Sequence, residues 1–263
     1  MMMQVSLRIV RLIFHLVRGM ALATFVFPRA ARARQQQLVR DWSQGLLKAC
    51  GVTLIVHQPG EALERGVMLV GNHVSWLDIY VINAWQPVPF VAKAEIEKWP
   101  ILGWLAKTIG TIFIRRDKRS DARRIVQQLA DVLKSGETIC IFPEGTTSDG
   151  TRLLPFHANL LQAPVLAMTA VQPICLLYED AQGQQSLAPA YIGDISLLAS
   201  LISILRAAPL TAHLYVTAPL EARGQRRELA MRAQAAVQGA LQLLQRQRVV
   251  LSDTAVVNAE VSG

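Results

Sequence analysis

The chain has 263 residues, 52% of them hydrophobic, a mean hydropathy of +0.29 and a formal charge of +8 from 27 basic and 19 acidic residues. That length fits one α/β domain with helical additions, and the oily, basic balance fits a protein lying against a bilayer or handling anionic substrates. The sequence holds no helix-turn-helix, zinc-knuckle or RNA-binding signature, no cysteine/histidine cluster with metal-ligand spacing and no Gly-x-Ser-x-Gly elbow, which sets aside nucleic-acid binding, a metal centre and a serine hydrolase.

Residues 5 to 27 are apolar but interrupted by Arg8, Arg11, His15 and Arg18, and Arg29, Arg32 and Arg34 follow. The cleanest uncharged run, Gly19 to Phe27, is shorter than the roughly 20 residues a span needs. Positive charge at both ends gives no orientation. The expectation is a helix in the interface with its arginines toward the head groups, a tilted single span being the alternative. No small-residue cleavage site marks a signal peptide. A second helix is predicted from about Ala33 to Cys50, where Leu38, Trp42, Leu46 and Ala49 form an apolar stripe. The two helices make an N-terminal membrane-associated hairpin over residues 1–50.

From there strands and helices alternate. Strands are predicted at Val52 to Val56, Val67 to Val70, Pro89 to Ala92, Thr111 to Ile114, Thr138 to Phe142, Met168 to Leu177 and Thr211 to Val216. Helices are predicted at Trp76 to Ala84, from Ser120 to about Ser135, and from about Gln225 to Arg248. The pattern implies an α/β sandwich with a buried sheet over residues 51–249. Residues 250–263 lack a pattern and read as a flexible tail. Cys50, Cys140 and Cys175 form no Cys-x-x-Cys pair and read as reduced core residues on a cytosolic face.

Two segments carry chemistry. Asn72-His73-Val74-Ser75-Trp76-Leu77-Asp78 follows one apolar run, and Phe142-Pro143-Glu144-Gly145-Thr146-Thr147 follows another. Ser75 is a good N-cap, and Asp78 then falls at the third helical position of a capping box. His73 sits in the turn before that helix and can fold back over it. There the Asp78 carboxylate accepts a proton from one ring nitrogen and leaves the other free to act as a base. The bland alternative is a turn residue, a cap and a dipole-complementing acid.

With these motifs the chain resembles the 1-acylglycerol-3-phosphate acyltransferase family of glycerolipid acyltransferases. Four ordered blocks carry the resemblance, over roughly residues 65 to 180: Asn72 to Asp78; Gly110-Thr111-Ile112-Phe113-Ile114-Arg115-Arg116; Phe142 to Ser148; and Val171-Gln172-Pro173-Ile174. The resemblance implies a glycerol-3-phosphate acyltransferase-like α/β fold, with a mixed central sheet flanked by helices. It implies transfer of an acyl chain from a thioester to the free hydroxyl of a lysolipid, foremost 1-acyl-sn-glycerol-3-phosphate to phosphatidic acid. His73 and Asp78 are then catalytic. Lys93, Arg116, Glu144, Gly145 and Thr146 bind substrate: Arg116 and Lys93 grip an anionic acceptor group, Glu144 binds an acceptor hydroxyl or braces Arg116, and the backbone near Gly145 faces the oxyanion. Nothing beyond acyl-carrier protein or coenzyme A, as the co-substrate's carrier, is implied as cofactor. The implied partners are membrane lipids, that carrier and the lysolipid, at the cytosolic side of a bacterial inner membrane.

Two departures bear on the acceptor. Thr147 stands where the family usually has arginine, and Phe156-His157-Ala158-Asn159 replaces the usual Phe-Lys-x-Gly. A lysolipid without phosphate, such as a lyso-ornithine lipid, is the alternative acceptor. A thioester hydrolase and a non-catalytic lipid-binding protein on the same fold are the other classes. Trp99-Pro100-Ile101-Leu102-Gly103-Trp104 either lines an acyl channel, dips into the bilayer or packs in the core. His15, His57, His157 and His213 read as structural or surface residues without partners.

Overall fold

The computed structural model describes residues 2–60, 65–98, 102–114 and 119–260. Helix α1 (Met2–Ala21) opens the chain and passes through a π-helical turn, Leu22–Val26, into a 3-10 turn, Phe27–Arg29. Pro28 explains the break, because its ring clashes with the carbonyl four residues back and it has no N–H to continue the ladder. Helix α2 (Arg32–Cys50) follows and ends at Gly51, whose φ of 74° is the left-handed conformation that glycine adopts freely.

Strands β1 (Val52–His57) and β2 (Met68–Gly71) lead to α3 (Asp78–Trp85). A small excursion then holds β3 (Val91–Lys93), α4 (Ala94–Glu97), α5 (Leu102–Thr108) and β4 (Ile112–Ile114). The chain returns through α6 (Arg119–Lys134), β5 (Ile139–Ile141), α7 (Gln162–Ala167) and β6 (Ala170–Glu179). It closes with α8 (Leu197–Ala207), β7 (Leu210–Val216), β8 (Leu220–Glu221) and α9 (Arg226–Glu260).

The main sheet runs β1-β7-β6-β2-β5, with β8 beside β6. Strand β2 pairs in parallel with β5 and β6, whereas β6 and β7 are antiparallel. The expected mixed sheet is therefore present. Strands β3 and β4 form a parallel pair, joined to the main sheet by a bridge from Phe90 to Cys140. Side chains alternate across the sheet, as the two-residue period requires. Val67, Leu69, Leu176 and Tyr178 face α2, α3 and α8, while Met68, Val70, Ile139 and Leu177 face α6, α7 and α9.

Three expectations differ from this outcome. Helix α2 is built into the core layer, with Leu46, Leu47 and Cys50 buried against the sheet side and Leu38 on the wall of a cavity. Helix α9 continues to Glu260, well past Arg248, because no proline or glycine after Gly239 interrupts it before that point. Helix α8 was not anticipated, although Ser196 caps it by accepting the Ala199 N–H at 3.2 Å.

Helix α1 is two-faced. Arg8, Leu12, His15 and Gly19, spaced by three and four residues, turn inward. The Arg8 guanidinium donates to the Leu205 and Ala208 carbonyls at the end of α8, at 2.8 and 3.1 Å, so this arginine serves the fold and not the head groups. His15 donates to the Trp42 carbonyl at 2.8 Å and stacks on the Trp42 ring. Gly19 lies against Trp42 and Gly45 against His15, and a Cβ at either would collide. The other face exposes Leu7, Ile9, Val10, Ile13, Phe14 and Val17. Residues 5–29 are long and apolar enough to cross a membrane by length and composition.

Asn72 extends β2 by side chain after the ladder stops. Its amide donates to the Leu176 carbonyl at 2.9 Å and its Oδ1 accepts the Leu176 N–H at 2.7 Å, all fully buried. Replacing Asn72 by alanine leaves both backbone groups without a partner and should lower stability by about 2–5 kcal/mol. Chemical denaturation, read as a shift in midpoint at unchanged slope, checks this.

Candidate active site

Strands β2 and β5 lie side by side and parallel, so the segments that leave their C-terminal ends meet. This is where open α/β sheets place their sites. His73 leaves β2, and Phe142 to Ser148 leave β5.

The chain does not enter α3 at Ser75, as a simple capping box would have it. Helix α3 begins at Asp78, and the Ser75 hydroxyl accepts the Leu77 N–H at 3.2 Å. The acidic half of the box does form: Asp78 Oδ2 accepts the Val74 and Ser75 N–H groups at 2.7 and 2.9 Å. The delayed helix start gives the loop room to bring His73 over the same oxygen, and His73 Nδ1 stands 2.8 Å from Asp78 Oδ2. The carboxylate accepts, so Nδ1 carries the proton and the Nε2 lone pair is left free. Asp78 Oδ1 accepts the Tyr178 hydroxyl at 2.6 Å, and Asp78 is fully buried.

The His73 backbone is held just as firmly. Its N–H donates to Glu144 Oε1 at 3.0 Å, and its carbonyl accepts the Ser148 N–H at 2.8 Å. The ring lies flat on Phe142, with centroids 4.0 Å apart and planes 4° off parallel. Only 20% of the side chain is exposed.

Glu144 uses both oxygens on backbone: Oε1 on His73 and Oε2 on the Leu154 N–H at 3.2 Å. It is a strut between two loops. Burial pushes its carboxyl up to about 7, against the two backbone donors that pull the other way. Gly145, at φ 73°, makes the turn, and its N–H donates to the Phe142 carbonyl at 3.1 Å, so that amide does not face an oxyanion. Thr146 stands exposed at the mouth of the site, and the Thr147 hydroxyl donates to the Tyr191 carbonyl.

A cavity of about 810 Å³ opens beside His73. Thr146, Thr147 and Tyr191 stand at the His73 end, and Leu22, Phe27, Trp42, Ile79, Phe90 and Leu105 line the rest. Its walls come from the end of α1, from α2 and α3, and from the β3–β4 excursion. Of the expected aromatic stretch, residues 99–101 lie outside the described residues, and Trp104 is exposed while the adjacent Leu105 and Ala106 line the cavity.

Five of the seven expected site residues therefore converge: His73, Asp78, Glu144, Gly145 and Thr146. Lys93 ends β3 in register with Ile114, with its backbone alone described. Arg116 lies outside the described residues. Tyr178 was not foreseen; a tyrosine closing an apolar run needs a partner for its hydroxyl, and that was the available signal. In the fourth block the strand runs through Pro173 to Glu179, two residues past the expected end at Leu177. His57, His213 and Glu179 form a chain across β1, β7 and β6, with 2.8 Å at each link, so these histidines do have partners.

The family model described as Acyltransferase matches residues 53–177. A lyso-ornithine lipid O-acyltransferase from Pseudomonas aeruginosa is 38% identical over 246 residues, covering 91% of this chain and 94% of that protein.

The chain belongs to the acyltransferase family.

A 1-acyl-sn-glycerol-3-phosphate acyltransferase from Neisseria meningitidis is 37% identical over 163 residues, covering 62% of this acyltransferase and 64% of its own length. Among solved structures, the 1-acyl-sn-glycerophosphate acyltransferase PlsC from Thermotoga maritima shares the fold. It has a TM-score of 0.61 at 20% identity and covers 90% of this chain and 98% of its own.

Two outcomes follow from the geometry. Tyr178→Phe removes one of four donors to Asp78 without touching the cavity. It should lower kcat about tenfold with KM nearly unchanged, while Asp78→Asn should cost about 100- to 10,000-fold, both read from steady-state kinetics. Glu144 binds its proton more tightly when folded, so its ionisation lowers stability as pH rises from the ordinary carboxyl value through about 7. Melting curves between pH 5 and 8 should show that fall in the native protein and a flatter profile in Glu144→Gln.

Proposed function

We propose that this acyltransferase moves an acyl chain from a thioester, carried on acyl-carrier protein or coenzyme A, to the free hydroxyl of a lysolipid. The observation that supports this is the tethered His73, with Nε2 free, at the end of an apolar cavity. The acyl chain lies in the cavity with its carbonyl carbon at His73. The acceptor oxygen attacks that carbon as its proton passes to Nε2. Collapse of the tetrahedral intermediate breaks the C–S bond, and the proton on Nε2 goes to the departing thiolate. Asp78 holds the imidazole in the useful tautomer and balances its charge while protonated. No covalent acyl-enzyme is needed, because the acceptor is itself the nucleophile, and no other cofactor enters.

Positioning supplies much of the rate, and donors must meet the oxyanion. The Thr146 amide replaces that of Gly145 in this role, since the latter is tied to Phe142. Lys93 and Arg116 remain the proposed grip on an anionic acceptor group. The exposed apolar face of α1 lies against the inner membrane, its C-terminal end roofing the cavity, and the site opens on the cytosolic side. The three buried, free cysteines fit that compartment.

The first acceptor reading is 1-acyl-sn-glycerol-3-phosphate, giving phosphatidic acid. A lyso-ornithine lipid is the second, and Thr147 favours it. That side chain brings no cation to the mouth and is tied to the Tyr191 carbonyl, and the Pseudomonas aeruginosa relative matches nearly the whole chain.

Purified protein in detergent, given one labelled acyl thioester and a panel of lysolipids, tests the reading. Transfer to lysolipid that falls about 100- to 10,000-fold in His73→Ala is expected. Thioester cleavage at the same rate with no lysolipid would overturn it in favour of hydrolysis, and full activity in His73→Ala would remove the base.

A further inference from the structure

The opposite ends of β2 and β5 border a second cavity, of about 1080 Å³. It is enclosed by the start of α2, the end of α3, the segment before β2 and the turn from α6 into β5, which the Gly66 N–H ties by donating to the Gly136 carbonyl at 3.0 Å. Arg32, Arg40 and Arg65 line it. One carboxylate, Glu137, is the acidic lining among the described residues, and it is paired with Arg32. Arg40 and Arg65 have no acidic partner among the described residues.

Arg40 carries the argument. Its Nε–H is out of contact with solvent and has no acceptor. Buried donors in native proteins are nearly always satisfied, so the unmet Nε–H leaves this guanidinium, which lines the cavity, short of a partner. A guanidinium offers a planar fork matched to phosphate oxygens. A second guanidinium, on Arg65, borders the same space, and Gln35, Gln36 and Gln86 surround it with polar groups. The cavity is not part of the acyl site. It lies at the N-terminal ends of β2 and β5, whereas His73 lies at their C-terminal ends, but the two cavities share a wall of Phe27, Val39, Thr108 and Ile109.

We propose that this cavity is a second binding site, for a phosphate group, held by Arg40 and Arg65. The source that fits best is the head group of an anionic phospholipid. Phe27 borders the cavity just where the exposed apolar face of α1 ends, and Arg29, Arg32 and Arg34 follow it in sequence. A lipid there fixes the protein on an anionic surface independently of catalysis.

Calorimetric titration of the full chain in neutral detergent, with dihexanoyl phosphatidylglycerol in one arm and inorganic phosphate in the other, tests this. Saturable binding is expected in the native protein. It should weaken about tenfold in Arg65→Gln and further in Arg40→Gln/Arg65→Gln, and stay unchanged in His73→Ala and in the surface control Arg226→Gln. Arg65 is exposed, so its single variant should fold regardless of what Arg40 does to the core. Tighter binding of the lipid assigns the source to a head group, and equal or tighter binding of inorganic phosphate assigns it to the free anion. Binding that is unaffected by Arg65→Gln and the double variant, or no binding of either probe, overturns the site. None of these readings depends on acyl transfer, so the site stands or falls apart from the proposed reaction.

Discussion

A carboxylate taken wholly out of water costs several kcal/mol unless donors replace its hydration. Asp78 meets four: the His73 ring, two consecutive backbone amides and the Tyr178 hydroxyl. Three parts of the fold assemble this set, the His73 ring and both amides sharing one loop. The amides come from the loop after β2, the hydroxyl from the far end of β6, and the carboxylate itself from the first residue of α3. Asn72 ties the loop to β6 just where Tyr178 becomes available, so the sheet pairing and the site geometry are one construction. Loosening any of them leaves a buried charge short of a partner.

The local half of this arrangement was legible in the sequence. A histidine and an aspartate five residues apart, around a serine, can meet only if the chain turns between them, and it does. The sheet was legible too, because its apolar runs are short and bounded by turn residues, although nothing in those runs says that β6 and β7 pair antiparallel. What the sequence concealed is non-local. Tyr178 is 100 residues from Asp78, and nothing in a strand of leucines says which face its last aromatic occupies. Glu144 reads as a substrate group because a Pro-Glu-Gly turn at a strand end can hold a polar substrate, a turn acid capping local amides being the plainer reading. Its partners are two main-chain amides, which no residue type announces. Helix α8 was a plain omission, since its serine cap and apolar run were both present.

The N-terminus shows how composition misleads at the level of single residues. Arginines in an apolar helix suggested head groups, yet Arg8 points into the protein and closes the end of α8. The apolar surface on the opposite face stays exposed, while the glycines that let α1 sit tightly on α2 help bring its C-terminal end over the cavity. One element thus joins an exposed apolar surface to the cavity beside His73.

The stack of His73 on Phe142 has a consequence for proton traffic. With one face of the imidazole covered by a parallel phenyl ring and Nδ1 tied to Asp78, the ring cannot flip, and its only open port is Nε2. A proton taken up there has no exit at the rear. In the proposed reaction it leaves on the side where it arrived, toward the atom that has replaced the acceptor oxygen. In that reaction the histidine is thus a turnstile with a single gate, favouring return of the proton to the leaving group over its loss to bulk water through the protein.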